Sequence, residues 1–221
     1  MPLPAVKYRA ALFDFDGTLT PSLPLWVKAF HIALEEHGVT FTDEEVIQRF
    51  FYRDWQDVAT ELQFSSLETF RTEIHRGLRI AFLAAELFPE VLTVLQACKA
   101  RGLQTAMVTS APRVVIQDVM PRLELHELFD HIVCADDVKN FKPHPEPVLM
   151  TLAALNRLPN EAIMIGDSTV DILAGKAAGT ATALFLTDDH NSFHNTDALR
   201  ATNPDHIFGH HRELHDIIGL V

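Results

Sequence analysis

The sequence lacks the features of secreted, disulfide-rich or membrane-spanning chains. It has 221 residues and only two cysteines, Cys98 and Cys134, which do not form a CxxC pair and lie in apolar stretches. A reduced thiol in such a stretch packs as a small hydrophobic side chain. No apolar run reaches the length of a membrane span, and the N-terminal residues lack the apolar core of a secretory signal. We therefore expect a cytoplasmic protein without disulfides that does not associate with membranes.

Basic residues are scarce, and the glycine-rich loops of nucleotide-binding proteins are absent. The 18 basic and 30 acidic residues give a formal net charge of −12. Such a chain repels phosphate backbones, so nucleic acid is not an expected partner. No GxGxxG pattern occurs, and the pair Gly175-Lys176 has Val170 where a P-loop requires glycine. These absences exclude dinucleotide-binding and P-loop proteins.

Short apolar runs alternate with amphipathic segments along the chain, which is typical of a parallel α/β sheet. Two predicted helices, Glu90–Arg101 and Asp171–Ala178, are each followed by a glycine, the residue that favours the left-handed conformation at a helix end. Another helix is predicted to begin near Pro145 and Pro147. The predicted strands are Ala10–Phe15, Gln104–Thr109, His131–Ala135, Ala162–Ile165, Ala181–Leu186 and His206–Phe208.

The first two predicted strands are too far apart for a plain crossover. Residues 16–103 separate them, whereas a whole βαβ unit takes about 30 residues. The intervening segment has helical signals, namely the capping-box pairs Thr42 with Glu45 and Ser65 with Glu68, and a helix over Leu25–Glu36 before Gly38. We therefore predict a small helical cap of three or four helices inserted after the first strand. Its predicted bounds are residues 21–88, and those of the core are 1–20 and 89–221.

Two carboxylates follow the first predicted strand. Asp14 and Asp16 are two positions apart, so strand geometry points them the same way, and Gly17 then lets the backbone turn. The carboxyl ends of strands in open α/β sheets are where ligands bind. Two partly buried carboxylates so close together require a cation, a shared proton, or both, and Mg²⁺ suits a few oxygen ligands together with a phosphate. The alternative is a solvated aspartate pair in a turn.

Other predicted strand ends carry residues suited to the same task. Thr109 and Ser110 end the second strand, Lys142 follows the third, and Asp167 ends the fourth, with Asp171 one helical turn later. Each has a structural alternative, because a hydroxyl or Asp167 can cap a helix and a lone lysine is usually solvated. Their joint occurrence at one sheet edge predicts a site.

These motifs, Asp14-x-Asp16-Gly17-Thr18, Thr109, Lys142 and Gly166-Asp167-x-x-x-Asp171, resemble those of the haloacid dehalogenase superfamily. The resemblance covers nearly the whole chain. The helical cap after the first strand, the stretch Phe88-Pro89-Glu90 and the Ala178-Gly179 turn resemble the branch that holds phosphoglycolate phosphatase and β-phosphoglucomutase. It implies a Rossmann-like three-layer core, a mobile helical cap and a Mg²⁺ cofactor. Asp16 argues against dehalogenation, because dehalogenases lack this second aspartate, and its presence indicates phosphoryl transfer.

The resemblance also implies roles for individual residues. Asp14 is expected to attack phosphorus and become an aspartyl phosphate, while Asp16 protonates the leaving group and then deprotonates water. Charge and hydrogen bonds on the phosphoryl oxygens are expected from Lys142, Thr109, Ser110 and Thr18. The expected metal ligands are Asp14, Asp16 through its backbone carbonyl, and Asp167, with Asp171 either joining them or supporting them from directly behind.

Substrate choice is expected to lie in the cap, where basic and aromatic residues are dense. Arg49 and Arg53 are candidates to bind a carboxylate or a second phosphate. They alternate with the aromatic residues Phe50, Phe51, Tyr52 and Trp55. The alternative is that the aromatic side chains form the core of the cap and the arginines are solvated.

The predicted function is a Mg²⁺-dependent phosphatase of small phosphorylated metabolites, acting as a monomer or homodimer. Two alternatives remain: a sugar phosphomutase, and a non-catalytic protein that binds a phosphorylated metabolite. Six histidines follow residue 189, and the pairs His206 with His210 and His211 with His215 have a spacing that zinc ligands use. We expect these histidines to be surface residues, with a second metal site as the alternative.

Overall fold

The structure is a computed structural model that describes residues 6–35, 37–51, 53–190 and 192–220. Glu36 and Tyr52, which figure in the predictions, lie outside the described residues. In the part described, no helix is both long enough and apolar enough to traverse a lipid bilayer. Both cysteines are free and buried, as predicted.

Six parallel strands form one sheet in the order β3-β2-β1-β4-β5-β6. The central strand β1 is buried at every position, because helices cover both faces of a parallel sheet and favour continuous apolar runs. The strands are β1 (Ala10–Phe13), β2 (Gln104–Val108), β3 (His131–Val133), β4 (Ala162–Gly166), β5 (Ala181–Phe185) and β6 (His206–Phe208). The predicted α/β class with a parallel sheet is confirmed.

Helices connect the strands and form the segment between β1 and β2. The helices are α1 (Leu23–Glu35), α2 (Asp43–Phe50), α3 (Trp55–Glu61), α4 (Leu67–Ala81), α5 (Val91–Ala100), α6 (Arg113–Val119), α7 (Glu146–Leu155), α8 (Thr169–Ala178), α9 (Thr196–Ala201) and α10 (Leu214–Ile218). Short 3₁₀ turns add Phe82–Ala84, Ala135–Asp137, Pro159–Glu161, Asp188–His190 and His211–Glu213.

The helix ends confirm two of the predicted capping signals and correct a third. The capping box of Thr42 and Glu45 is present at the start of α2, and Gly179 closes α8 in the left-handed conformation. The box predicted for Ser65 and Glu68 is wrong, because the next serine, Ser66, caps α4 by accepting a hydrogen bond from the Thr69 amide. Either of the two adjacent serines has a hydroxyl that could cap a helix. Ser66 is the cap because it is the residue that directly precedes α4 with an extended backbone.

Five of the described helices lie between β1 and β2. Of these, α5 directly precedes β2, and α1 to α4 lie within residues 23–84, which we call the helical insertion. Its interior is aromatic: Phe30 stacks on Phe50 with ring centroids 5.1 Å apart, and Trp55 meets Phe70 edge-on at 5.7 Å. This core is continuous with the apolar layer on one face of the sheet. The domain bounds predicted at residues 20/21 and 88/89 remain a prediction.

Candidate active site

The register of the central strands brings the predicted residues together. Phe13 of β1 pairs with Met107 of β2 on one side and Ile165 of β4 on the other. The residues that follow these strands therefore emerge side by side. Asp14, Thr109 and Asp167 are all buried at this edge of the sheet, where ligands bind in open α/β folds.

Lys142 is the cation at the centre of this edge. Its Nζ lies 2.7 Å from Asp14 Oδ1 and 2.6 Å from Asp171 Oδ1, and it also donates to the Val108 carbonyl at 2.9 Å. The Lys142 side chain is 3% exposed. Burial opposes its charge, but the carboxylates of Asp14 and Asp171 outweigh that effect and raise the pKa of Lys142. The ammonium is therefore charged at neutral pH.

The groups around Asp14 carry more negative than positive charge. Burial, followed by the charge of Asp171, raises the pKa of Asp14 well above its usual range, while Lys142 opposes the shift. Oxygens of Asp14, Asp167 and Asp171 lie within 4.8 Å of one another. Three buried carboxylates facing one ammonium leave an excess of negative charge, and hard oxygen donors suit a divalent cation such as Mg²⁺. The residues present therefore fit a metal ion.

Asp16 is held by hydrogen bonds from residues just before and at the start of the helical insertion. Ser22 Oγ donates to Asp16 Oδ1 at 2.5 Å, and the Trp26 indole contributes a second hydrogen bond. Burial raises the pKa of Asp16 to about 6, although these hydrogen bonds oppose the shift. A carboxyl group with a pKa near the working pH is suited to both donating and accepting a proton.

The turn after β1 packs directly against Asp167. Gly17 has φ +77°, and a Cβ at this position would lie 2.2 Å from Asp167 Oδ2, so only glycine fits. Thr18 is completely buried, and its Oγ1 donates to Asp167 Oδ1 at 3.0 Å. The Thr18 hydroxyl therefore orients the Asp167 carboxylate. The substrate contact predicted for Thr18 remains a prediction.

Asp171 is anchored by the start of its own helix. It lies in the first turn of α8, where the Ser168 amide donates to Asp171 Oδ2 at 3.1 Å and the Ser168 hydroxyl donates to the same oxygen. The Asp171 Oδ1 atom accepts from Lys142. Both oxygens of Asp171 therefore have partners within the protein. This arrangement suits a carboxylate that holds Lys142 in position.

Of the two predicted phosphate-binding residues after β2, one is buried and the other is exposed. Thr109 is buried, and its Oγ1 accepts a hydrogen bond from the Ala111 amide at 2.9 Å, within the turn before α6. This contact is not the helix cap considered as the alternative, because the N-cap of α6 is Pro112 and has no side-chain hydrogen bond. Ser110 is exposed at the same sheet edge. Their predicted contacts with phosphoryl oxygens remain predictions.

The two arginines predicted to bind substrate are paired within the helical insertion. Arg53 lies 2.9 Å from Glu61 and Arg49 lies 3.6 Å from the same carboxylate, while the Arg49 guanidinium stacks over Phe41 at 5.0 Å. Phe50 is buried, in agreement with the alternative in which the aromatic residues form a core. An anionic substrate group would have to compete with Glu61, and binding by either arginine remains a prediction.

The expectation that the C-terminal histidines lie on the surface is wrong for three of them. His190 and His211 are 2% and 3% exposed, and the His194 side chain is 6% exposed. His211 Nε2 lies 2.8 Å from the Thr18 carbonyl oxygen, and His194 Nε2 lies 2.8 Å from Asp167 Oδ2. No local pattern marks these contacts, because loops distant in sequence from the motifs create them. Among the described residues, the histidines form no metal-binding cluster of their own.

The chain is similar in sequence and fold to known phosphate-processing enzymes. The model of the haloacid dehalogenase-like hydrolases matches residues 11–185. The chain is 32% identical to pyrophosphatase PpaX of Bacillus pumilus over 96% of both chains. It is 28% identical to phosphoglycolate phosphatase of Yersinia pestis, over 97% of this chain and 96% of that one. A candidate β-phosphoglucomutase from Thermotoga maritima has a similar structure, with a TM-score of 0.77 and 26% identity over 96% of this chain and 99% of that one.

Proposed function

The chain belongs to the haloacid dehalogenase-like hydrolase family, and from this membership we propose that it is a Mg²⁺-dependent phosphatase of small phosphomonoesters. The observation that carries the proposal is the buried cluster of Asp14, Lys142, Asp167 and Asp171 at the carboxyl edge of the sheet. The similarity to enzymes named as a phosphoglycolate phosphatase and a pyrophosphatase supports hydrolytic phosphoryl transfer. Two free, buried cysteines support a cytoplasmic location.

In the first step, an Asp14 oxygen attacks phosphorus. A phosphorus–oxygen bond forms to Asp14 as the bond to the ester oxygen breaks, and Asp16 donates its proton to the departing alkoxide. The contacts of Asp16 with Ser22 and Trp26 fix the position of this acid. The products are an alcohol and an aspartyl phosphate on Asp14.

In the second step, water attacks the aspartyl phosphate. Asp16 accepts a proton from the water, the phosphorus–oxygen bond to Asp14 breaks, and inorganic phosphate leaves with the Asp14 carboxylate restored. Lys142 supplies positive charge beside the phosphoryl group, and we assign hydrogen bonds to its oxygens to Thr109 and Ser110. Asp14, the Asp16 carbonyl and Asp167 would hold a Mg²⁺ ion, with Asp171 supporting the site, and the ion would supply further positive charge to the phosphoryl oxygens.

A sugar phosphomutase is the second candidate, since the similar structure from Thermotoga maritima is described as a candidate β-phosphoglucomutase. The two reactions share the aspartyl phosphate and differ in its acceptor, which is water in a phosphatase and a sugar hydroxyl in a mutase. Release of inorganic phosphate therefore separates them.

The experiment is a phosphate-release assay on a panel of small phosphomonoesters, with and without Mg²⁺. Wild type is compared with Asp14→Asn, and Asp216→Asn, at an exposed position of α10, serves as the matched control. We expect release that requires Mg²⁺ and Asp14 and that is unaffected in the control. Absence of release from every ester by the folded protein would refute the phosphatase, and a sugar-phosphate isomerisation assay would then test the mutase.

A further inference from the structure

A histidine outside the predicted motifs reaches the carboxylate that follows β4. His194 Nε2 lies 2.8 Å from Asp167 Oδ2, and the two side chains are 6% and 2% exposed. An ionised carboxylate only accepts hydrogen bonds, so His194 Nε2 carries the proton in this contact. Thr18 donates to the other oxygen of Asp167 at 3.0 Å. Both oxygens of this carboxylate are therefore oriented by donors.

The backbone on both sides holds His194 in place. The loop that carries it follows β5, which is the neighbour of β4, so it passes over the end of β4 where Asp167 lies. The His194 amide donates to the His190 carbonyl at 2.9 Å, and the Asn195 side chain caps α9 by accepting from the Ala198 amide. These hydrogen bonds fix the backbone on both sides of His194.

His194 acts through Asp167 instead of joining the ligand cluster. In the described chain, the potential ligand atoms that lie within 4.8 Å of one another come from Asp14, Asp167 and Asp171, and His194 is outside this group. We propose that His194 is a positioning residue that orients Asp167 for metal binding, a role that rests on the metal-dependent function proposed above. Outer partners of this kind typically contribute 10- to 100-fold to metal affinity or activity.

The test measures Mg²⁺ binding to the full-length protein by titration calorimetry, independently of turnover. His194→Phe keeps a planar ring but loses the donor, whereas His194→Gln keeps an N–H donor at a similar reach. We expect His194→Phe to weaken Mg²⁺ binding by about 10- to 100-fold and His194→Gln to restore most of the affinity. Thermal unfolding in EDTA establishes that each variant is folded.

Phe193→Leu is the control for general disturbance of the loop. Phe193 contacts Phe51 of the helical insertion with ring centroids 5.8 Å apart, and its replacement leaves the His194 donor intact. We expect Phe193→Leu to bind Mg²⁺ like wild type. The proposal is overturned if His194→Phe binds Mg²⁺ as tightly as wild type or more tightly. It is also overturned if His194→Gln does not restore Mg²⁺ affinity, or if Phe193→Leu weakens Mg²⁺ binding as much as His194→Phe does. A wild type that binds no Mg²⁺ would overturn the proposed function as well.

Discussion

Replacing Lys142 with methionine should destabilise the metal-free protein severely, because it leaves two carboxylates facing each other without their shared cation. Lys142 Nζ lies 2.7 Å from Asp14 and 2.6 Å from Asp171, and all three side chains are buried. Removing one partner of a buried ion pair costs about 3–5 kcal/mol. For a chain of this size, each kcal/mol lowers Tm by about 2–4 °C, so the expected decrease is about 6–20 °C.

The assay is urea and thermal unfolding in EDTA, with the same substitution at a surface ion pair as the control. Lys99 lies 2.7 Å from Asp130, but both side chains are about one-third exposed. We therefore expect Lys99→Met to cost less than about 1 kcal/mol. Saturating Mg²⁺ should restore part of the stability lost in Lys142→Met, since the ion supplies positive charge to the same carboxylates, and should restore none in Lys99→Met.

A double variant tests whether the loss arises from unpaired charge. Lys142→Met combined with Asp14→Asn removes one of the two carboxylates, so we expect the double variant to be more stable in EDTA than Lys142→Met alone. The reasoning is refuted if Lys142→Met loses less than about 1 kcal/mol, or if removing the Asp14 charge recovers no stability.

Two further predictions concern the turn after β1 and its support. Gly17→Ala should abolish phosphate release and destabilise the fold, because its Cβ would lie 2.2 Å from Asp167 Oδ2; Gly38→Ala, with φ +68° and nothing within 4 Å, should cost only about 1–2 kcal/mol of backbone strain. Equal loss of stability in urea unfolding would contradict this. Burial lowers the pKa of His211 to about 4. As pH decreases, the His211 imidazole is therefore protonated in the unfolded chain before it is protonated in the folded protein. The free energy of unfolding should then fall between about pH 6.5 and pH 4, by on the order of 3 kcal/mol in total. Urea unfolding at pH 7 and pH 4.5 should show a smaller decrease for His211→Phe than for wild type, and an unchanged decrease would count against the burial of a neutral imidazole beside the Thr18 carbonyl.

The strands and the motif residues were predictable from local patterns. Apolar runs bounded by helices located all six strands to within two residues, because a buried parallel strand selects a continuous apolar sequence. The convergence of Asp14, Lys142 and Asp167 followed from the rule that parallel strands end at the same edge of a sheet. Each of these inferences needs only the order of elements along the chain.

The contacts that surround the motifs were not predictable, because they depend on how loops pack in three dimensions. Histidine is common on surfaces, and nothing near His194 or His211 in sequence indicates that these rings are buried against Asp167 and Thr18. Similarly, the pairing of Arg49 and Arg53 with Glu61 depends on the packing of α2 against α3. Sequence alone showed the charges of these residues and did not show their partners.

Trapping of the covalent intermediate tests the central claim most directly. The protein is mixed with Mg²⁺ and an ester that it hydrolyses, quenched during turnover and treated with borohydride, which reduces an acyl phosphate to the alcohol. Peptide mass spectrometry then locates the reduced side chain. The account predicts reduction at Asp14 that requires both ester and Mg²⁺. Phosphate release without reduction at Asp14, or reduction at another residue, would contradict it.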